Sequence, residues 1–457
     1  MKKYPHFCKC FVLTILFFIL FTTSEFAYES GRISAGKDYS LYIDNNSAVW
    51  AWGNNFSGKL GDNTTVDKIY PVKIEELKEK NIKKVLAGCS NSFGVDQNNN
   101  LLAWGENLLN YLGVGLGNNE IEECCQEYSG PLYKKEIYTP TLIKDIKKVY
   151  DVTSSCNHSL ILTNNNELKV YAWGEGYMGQ LGINDRNKSY VYTPMEAYNL
   201  KDVIEVSAGN SFSLALRSDG SIYTWGDNKY GQLGTNFVPF LPANELFLMP
   251  LRTLINNLIN YTSEYTIIPI KASKPEDVVD PQIYHISAGG DHALALVVDN
   301  KNNTSVWAWG RNDMGQLGNR RTYEYTNIPT MVSMPDNIAI TEISAGQNHS
   351  LALDSDGNVW AWGDNSYKQI GNTKINANIS YCTIPTKVEG LSNVVEISAG
   401  AYHNLALTKD GNLYGWGSNR YGQLGKYKNN LYIILPEEIT IEEQNQPDYI
   451  LPRLAPE

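Results

Sequence analysis

Seven related copies of one stretch constrain this chain more than any other feature. Its clearest form, residues 343–371, reads ISAGQNHSLALDSDGNVWAWGDNSYKQIG. The glycine after each repeat tryptophan falls at 53, 105, 174, 226, 310, 363 and 417, giving gaps of 52, 69, 52, 84, 53 and 54 residues. Without insertions near 114–143 and 235–281 the period is nearly constant, so the 457 residues form one repeat array rather than unrelated domains. Copy two is worn (Leu86-Ala87-Gly88), and copy three carries Ser155 in place of its glycine.

Within a copy the apolar pattern has period two. Leu351 and Leu353 share a face, as do Trp360 and Trp362, which strands require and helices do not. Asp219-Gly220, Asp356-Gly357 and Asp410-Gly411 stand between such runs as hairpin turns. Each copy therefore predicts an antiparallel sheet of about four strands, and seven such sheets close into an all-β, seven-bladed propeller. A proline-led strand precedes every copy but the first, and Tyr432–Ile439 follows the last. The ring is accordingly expected to close by pairing N- and C-terminal strands in one blade. Leu251–Ile259, inside the longer insertion, is expected to form a short helix.

The chain ends are read separately. Lys2 and Lys3 precede an apolar run from Phe11 to Phe21, followed by Thr22, Thr23 and Ser24. That is the pattern of a signal peptide, expected over residues 1–24, and it is short for a membrane span. The propeller is expected over 31–443 and a tail over 444–457. Export is the expectation, with membrane association only if the segment stays uncleaved. The mature chain would keep Cys89, Cys124, Cys125, Cys156 and Cys382. Cys89 and Cys156 hold equivalent places in neighbouring repeats; a bridge within the first insertion and free thiols both remain open.

The combination I-S-A-G-x-x-H-S-L-A-L, D-G-x-V-W-A-W-G and G-Q-L-G resembles the regulator-of-chromosome-condensation repeat over roughly Ile33 to Ile439. The resemblance implies seven-bladed propellers. It also implies, as alternatives, guanine-nucleotide exchange on a small GTPase, the founding member's activity on Ran, and inhibition of β-lactamases by some secreted bacterial members.

The chemistry-bearing residues carry their own reading. All ten tryptophans occupy the two aromatic positions before the repeat glycine, a regularity expected of packing between blades. His158, His292, His349 and His403 share one position where Tyr39, Asn91 and Phe212 also occur, so hydrogen bonding to nearby backbone is expected there rather than a metal ring or a base. His349 and Ser350 are adjacent in a strand and point to opposite faces, which excludes them as a catalytic pair. Asp354–Asn358 resembles half a calcium loop, but Asn365 stands where its bidentate glutamate belongs. No catalytic constellation stands out, and neither cofactor nor metal is expected. The net charge of −11 and the lack of a Lys/Arg cluster argue against a nucleic-acid partner.

What remains is a monomeric, non-catalytic scaffold that binds a protein through the loops after each Trp–Gly. Their tips supply the candidate contact residues Phe56, Tyr177, Lys229, Tyr230, Asp313, Met314, Tyr367, Arg420 and Tyr421, together with Leu108 and Ser366.

Overall fold

A computed structural model describes residues 31–107, 112–113, 136–144, 146–164, 167–235, 261–262, 265–275, 281–323, 325–375, 379–426 and 431–442. Seven antiparallel sheets occur among them, each built from consecutive strands. Blade 6 shows the plan: Ile340–Ala345 innermost, then His349–Asp354, Val359–Asp364 and Tyr381–Lys387 at the outer edge. Blade 4 adds a short fifth strand, Tyr261–Thr262, beyond Tyr265–Lys271. The seven-bladed propeller read from the repeat is the observed architecture.

Closure differs from the expectation. The proline-led strand belongs to the copy before it, not to the copy after it. Lys68–Lys73 completes blade 1, and Tyr432–Glu438 pairs with Leu413–Ser418 inside blade 7. Among the described residues no strand is exchanged between the termini. The ring closes because blade 1 docks on blade 7 through the seam used elsewhere. A proline-led strand lies between two copies and alternates in either, so period two alone cannot assign it.

That seam is built from the repeat residues. The second tryptophan of each copy is fully buried, and in six copies its indole donates to a backbone carbonyl of the turn in the preceding blade that matches Gly-Gln-Leu-Gly. Trp362 Nε1 reaches Gln316 O at 2.8 Å, and Trp52 Nε1 reaches Gln423 O at 2.9 Å across the closure. This accounts for the tryptophans as packing between blades, with a hydrogen bond that aims each ring.

The histidines require a correction. Their partner is a side chain of the next blade rather than nearby backbone: His158 Nε2 to Ser213 Oγ at 2.7 Å, His292 to Ser350 at 2.9 Å, His403 to Ser40 at 2.9 Å, and His349 to Asn404 Oδ1 at 2.7 Å. A histidine and a serine of one copy do point apart, yet neighbouring copies bring them together. Each serine in turn donates to the carbonyl that the tryptophan uses, as Ser350 Oγ does to Gln316 O at 3.0 Å. Histidine and serine are fully buried, and burial pushes His158, His292 and His403 down to about 3, so these imidazoles are neutral. Where blade 4 carries Phe212, the facing residue of blade 5 is Ala293. The hydrogen bond and its apolar substitute are thus alternatives at one joint.

Candidate functional site

The strand registers decide which loops share a face. His349 pairs with Gly363 and Asp364 with Tyr381. The Gly-x-x-His turns, the loops after each Trp–Gly and the starts of the outer strands therefore all emerge on one side. The Asp–Gly hairpins lie on the other, since Leu353 pairs with Val359. There the Asp354 carboxylate receives the N–H groups of Asp356 and Asn358 at 3.0 and 2.8 Å and the Trp360 indole at 3.0 Å. Its oxygens hold the turn, which explains the resemblance to a calcium loop without a cation.

The Trp–Gly loops of blades 4 to 7 are rigid because their polar residues serve the loop itself, and those of blades 1 and 3 keep one of the two bonds. Asn312 Oδ1 accepts Leu317 N–H at 3.0 Å, and Gln316 Oε1 accepts Met314 N–H at 2.9 Å. The same pair of bonds recurs around Asn365 and Gln369 and around Asn419 and Gln423. The leucine that closes the loop, Leu317 or Leu424, is buried and anchors it. The glycine that opens it is required: Gly363 has φ +99°, and a Cβ there would stand 2.6 Å from Asn348 O. With Asn, Gln and Leu committed inward, only the residues between them face solvent.

Those residues include the nine candidates, which the structure places on this one face but not in one cluster. Phe56 is 62% exposed. Tyr177 is 49% exposed and packs edge-to-face on Tyr190, with ring centroids 6.2 Å apart. The Glu175 carboxylate beside it, aided by burial, pushes the Tyr177 phenol up to about 12. Lys229, Tyr230 and Asp313 do come together at the junction of blades 4 and 5. Tyr230 lies beneath both the Lys229 ammonium, at 5.2 Å, and the Arg311 guanidinium, at 5.0 Å, while Arg311 also holds Asp313 at 2.6 Å. Met314 is half-buried beside them. Exposed Tyr367 tilts against Tyr402 of the next blade at 5.2 Å, and half-buried Arg420 lies over Tyr421 at 5.8 Å. Ser366 is exposed, its hydroxyl bound to Asp364; Leu108 lies outside the described residues.

Sequence reasoning missed the outer rim of this face. Tyr190, Tyr325, Tyr381 and Tyr432 open the outer strands of blades 3, 5, 6 and 7, and all are exposed. Their signal is a tyrosine four residues before the strand proline: Pro194, Pro329, Pro385 and Pro436. The expectation that the proline-led strand belongs to the following blade hides it. At the centre of the same face Cys89 and Cys156 form a disulfide between blades 2 and 3, with Cα atoms 4.8 Å apart. This bridge is neither of the two possibilities left open from the sequence: residues following the repeat glycine in adjacent blades meet around the channel mouth. Cys382 is free and half-buried, while Cys124, Cys125, the signal segment and the expected helix over Leu251–Ile259 lie outside the described residues.

Comparison with known proteins agrees with this architecture. The profile of the regulator of chromosome condensation (RCC1) repeat matches residues 46–95, 169–216, 219–296, 304–353, 356–407 and 410–447. The chain belongs to the RCC1 repeat family. Among curated proteins it is 27% identical to the E3 ubiquitin-protein ligase HERC2 of Mus musculus over 85% of this chain, but that match spans only 7% of HERC2. It is 26% identical to the ultraviolet-B receptor UVR8 of Arabidopsis thaliana, covering 86% of this chain and 78% of the receptor. It is 24% identical to the guanine nucleotide exchange factor SRM1 of Saccharomyces cerevisiae, covering 84% and 68%. Among solved structures, Prp20p of Saccharomyces cerevisiae superposes with a TM-score of 0.67 at 20% identity over 91% of this chain and 88% of that one. Human WBSCR16 gives 0.66 at 21% identity, over 86% and 94%. These structural likenesses speak for the fold. Among the described residues no helix is long and apolar enough to cross a membrane, and no group of three or more His, Cys, Asp or Glu is arranged to hold a metal ion.

Proposed function

We propose that this protein is an exported, non-catalytic interaction scaffold that grips a protein partner with the Trp–Gly face. One observation carries the reading. In blades 4 to 7 the loop Asn and Gln are both bound inward, and blades 1 and 3 keep one of these two bonds, so stiff tips present Phe56, Tyr177, Tyr367 and the rim tyrosines at little conformational cost. Aromatic and cationic residues on stiff supports favour interface cores. The Cys89–Cys156 bridge supports export, because such bonds persist in oxidising compartments. The buried His–Ser pairs favour a structural role over a chemical one: the serine hydroxyl is inaccessible and already donates to a carbonyl.

The test is capture by the mature chain, with Tyr177→Ala/Tyr367→Ala compared against Asp219→Ala/Asp356→Ala on the opposite face. The scaffold reading expects a specific partner lost with the first pair and kept with the second. Equal capture by both would remove the Trp–Gly face from the reading.

A second reading is favoured by the likeness to SRM1, which spans most of both chains. On that reading the same face accelerates nucleotide release from a small GTPase. Labelled-GDP release across a GTPase panel separates the two, since a plain scaffold leaves every rate unchanged.

A further inference from the structure

The channel of the propeller is lined by the innermost strands, in which alternate residues face inward. Glu396, Ser398 and Gly400 share that face in blade 7, and Glu342, Ser344 and Gly346 share it in blade 6. The serine and glycine layers line a cavity of about 230 Å³ at the mouth. The layer below is ionisable in every blade, with Arg32 in blade 1 and Lys84, Asp151, Glu205, His285, Glu342 and Glu396 in blades 2 to 7.

Four of these groups pair. Lys84 Nζ meets Asp151 Oδ1 at 2.5 Å, and His285 Nδ1 meets Glu205 Oε1 at 2.5 Å. Arg32 turns its guanidinium away, to Ile43 O at 3.0 Å and Asn45 Oδ1 at 2.8 Å. Glu342 and Glu396 are left as neighbours without a side-chain cation of their own. Glu342 Oε2 accepts Ile397 N–H at 3.3 Å. Glu396 Oε1 accepts the N–H groups of Gly31, Arg32 and Ile33 at 2.6, 3.0 and 3.3 Å. Glu396 Oε2 has no hydrogen-bond partner, although the residue is only 2% exposed. A buried carboxylate oxygen in this state is costly, and one positive charge is missing from the ring.

We propose that the channel binds a primary ammonium group between Glu342 and Glu396, carried by a free aliphatic amine or by a lysine side chain of a protein partner. An ammonium brings three N–H donors. Glu342, Glu396 Oε2 and a serine hydroxyl supply three acceptors, because Ser344 and Ser398 each spend one lone pair on Ala399 or Ala35 N–H, at 2.9 Å, and keep another. A guanidinium has five donors and overfills the site, whereas a hard divalent ion wants six or more oxygens. Binding exchanges ions: burial and the Glu396 charge, offset in part by His285, push Glu342 up to about 8, so at neutral pH the ammonium enters as one proton leaves. Arg32, whose charge favours the ionised form of Glu396, together with Lys84, Asp151 and Glu205 completes the charges facing this layer. The site does not depend on the Trp–Gly loops, so its failure and theirs are separable.

The experiment is calorimetric titration of the mature chain with n-butylammonium chloride and, separately, with the peptide acetyl-Gly-Lys-Gly-amide. Expected is one saturable site for at least one probe, with buffer-dependent heat reporting proton release. Affinity should be roughly fivefold tighter at about pH 8 than at about pH 7, as the ionised fraction of Glu342 grows. Glu342→Gln, which keeps an oxygen for Ile397 N–H, should weaken binding at least about tenfold. Tetramethylammonium, which lacks N–H donors, should not bind the unaltered protein, a control independent of any variant's folding. Binding of the amine supports a free ligand, and binding of the peptide alone supports a lysine from a partner. No binding of either probe up to roughly 10 mM, or tetramethylammonium binding as tightly as butylammonium, overturns the proposal.

Discussion

The joint between blades 5 and 6 provides the sharpest test of the seam. His292 Nε2 has one partner, Ser350 Oγ at 2.9 Å, and its Nδ1 has none; both residues are fully buried. Ser350→Ala strands the imidazole and should cost about 1–3 kcal/mol, the penalty of an unsatisfied buried polar group. His292→Phe removes the imidazole but leaves Ser350 bonded to Gln316 O, so it should cost about 1–2 kcal/mol. The double variant recreates the pairing already present at the previous joint, where Phe212 faces Ala293. Its cost should therefore fall below the sum of the single costs by about 1–2 kcal/mol, since no stranded group remains. Urea unfolding of the four proteins reads this as midpoint shifts at constant slope. Additivity within about 0.5 kcal/mol would refute the idea that the two residues act as one joint.

Other expectations concern pH, the disulfide and the turns. His158, His292 and His403 are held near 3 by burial, below their unfolded value of about 6.5. The unfolded chain binds more protons below about pH 6.5, so each histidine lowers stability by about 1.4 kcal/mol per pH unit as the medium is acidified towards pH 3. Acid unfolding followed by tryptophan fluorescence should begin near pH 6, and replacing any one of the three by Phe should flatten the slope. His285, raised to about 9 against Glu205, behaves oppositely: its stabilisation is present below about pH 6.5 and lost as pH rises through about 9. Cys89→Ser/Cys156→Ser opens a link spanning 67 residues and should cost about 4 kcal/mol on a chain-entropy account, measured against unaltered protein in urea. Gly363→Ala forces a side chain onto backbone atoms at φ +99° and should prevent a stable blade 6, read as loss of soluble monomer.

The repeat made the blades legible because tryptophan, glycine and Asp–Gly recur at fixed offsets, and each carries a local physical demand. Relations between copies were harder to read. The histidine's partner lies 55 residues further on for His158 and 58 for His292, so nothing near it in sequence announces the bond. The covarying pairs His292 with Ser350 and Phe212 with Ala293 did hold the signal, but only in a comparison of each copy with the next. The proline-led strands belong to the preceding copy, which the sequence does not show because a strand midway between two sheets alternates equally well in either. Of the candidate site, the loops were legible as exposed turns, and the shared face follows from register alone. The Tyr230–Arg311–Asp313 group was not, because Arg311 belongs to a strand end that reads as scaffold. The channel ring is visible as a column of ionisable residues two before each repeat serine or its replacement (Leu86, Thr153), from Arg32 to Glu396, a position that the apolar pattern passes over.

The central claim is that function resides on the Trp–Gly face. Its most direct measurement places a photo-crosslinking amino acid at Tyr177 or Tyr367 on that face, and at Asp219 or Asp356 on the hairpin face, in otherwise native protein. The account predicts a discrete protein adduct from Tyr177 and Tyr367 and none from the hairpin positions. Adducts arising only from Asp219 and Asp356 would contradict it.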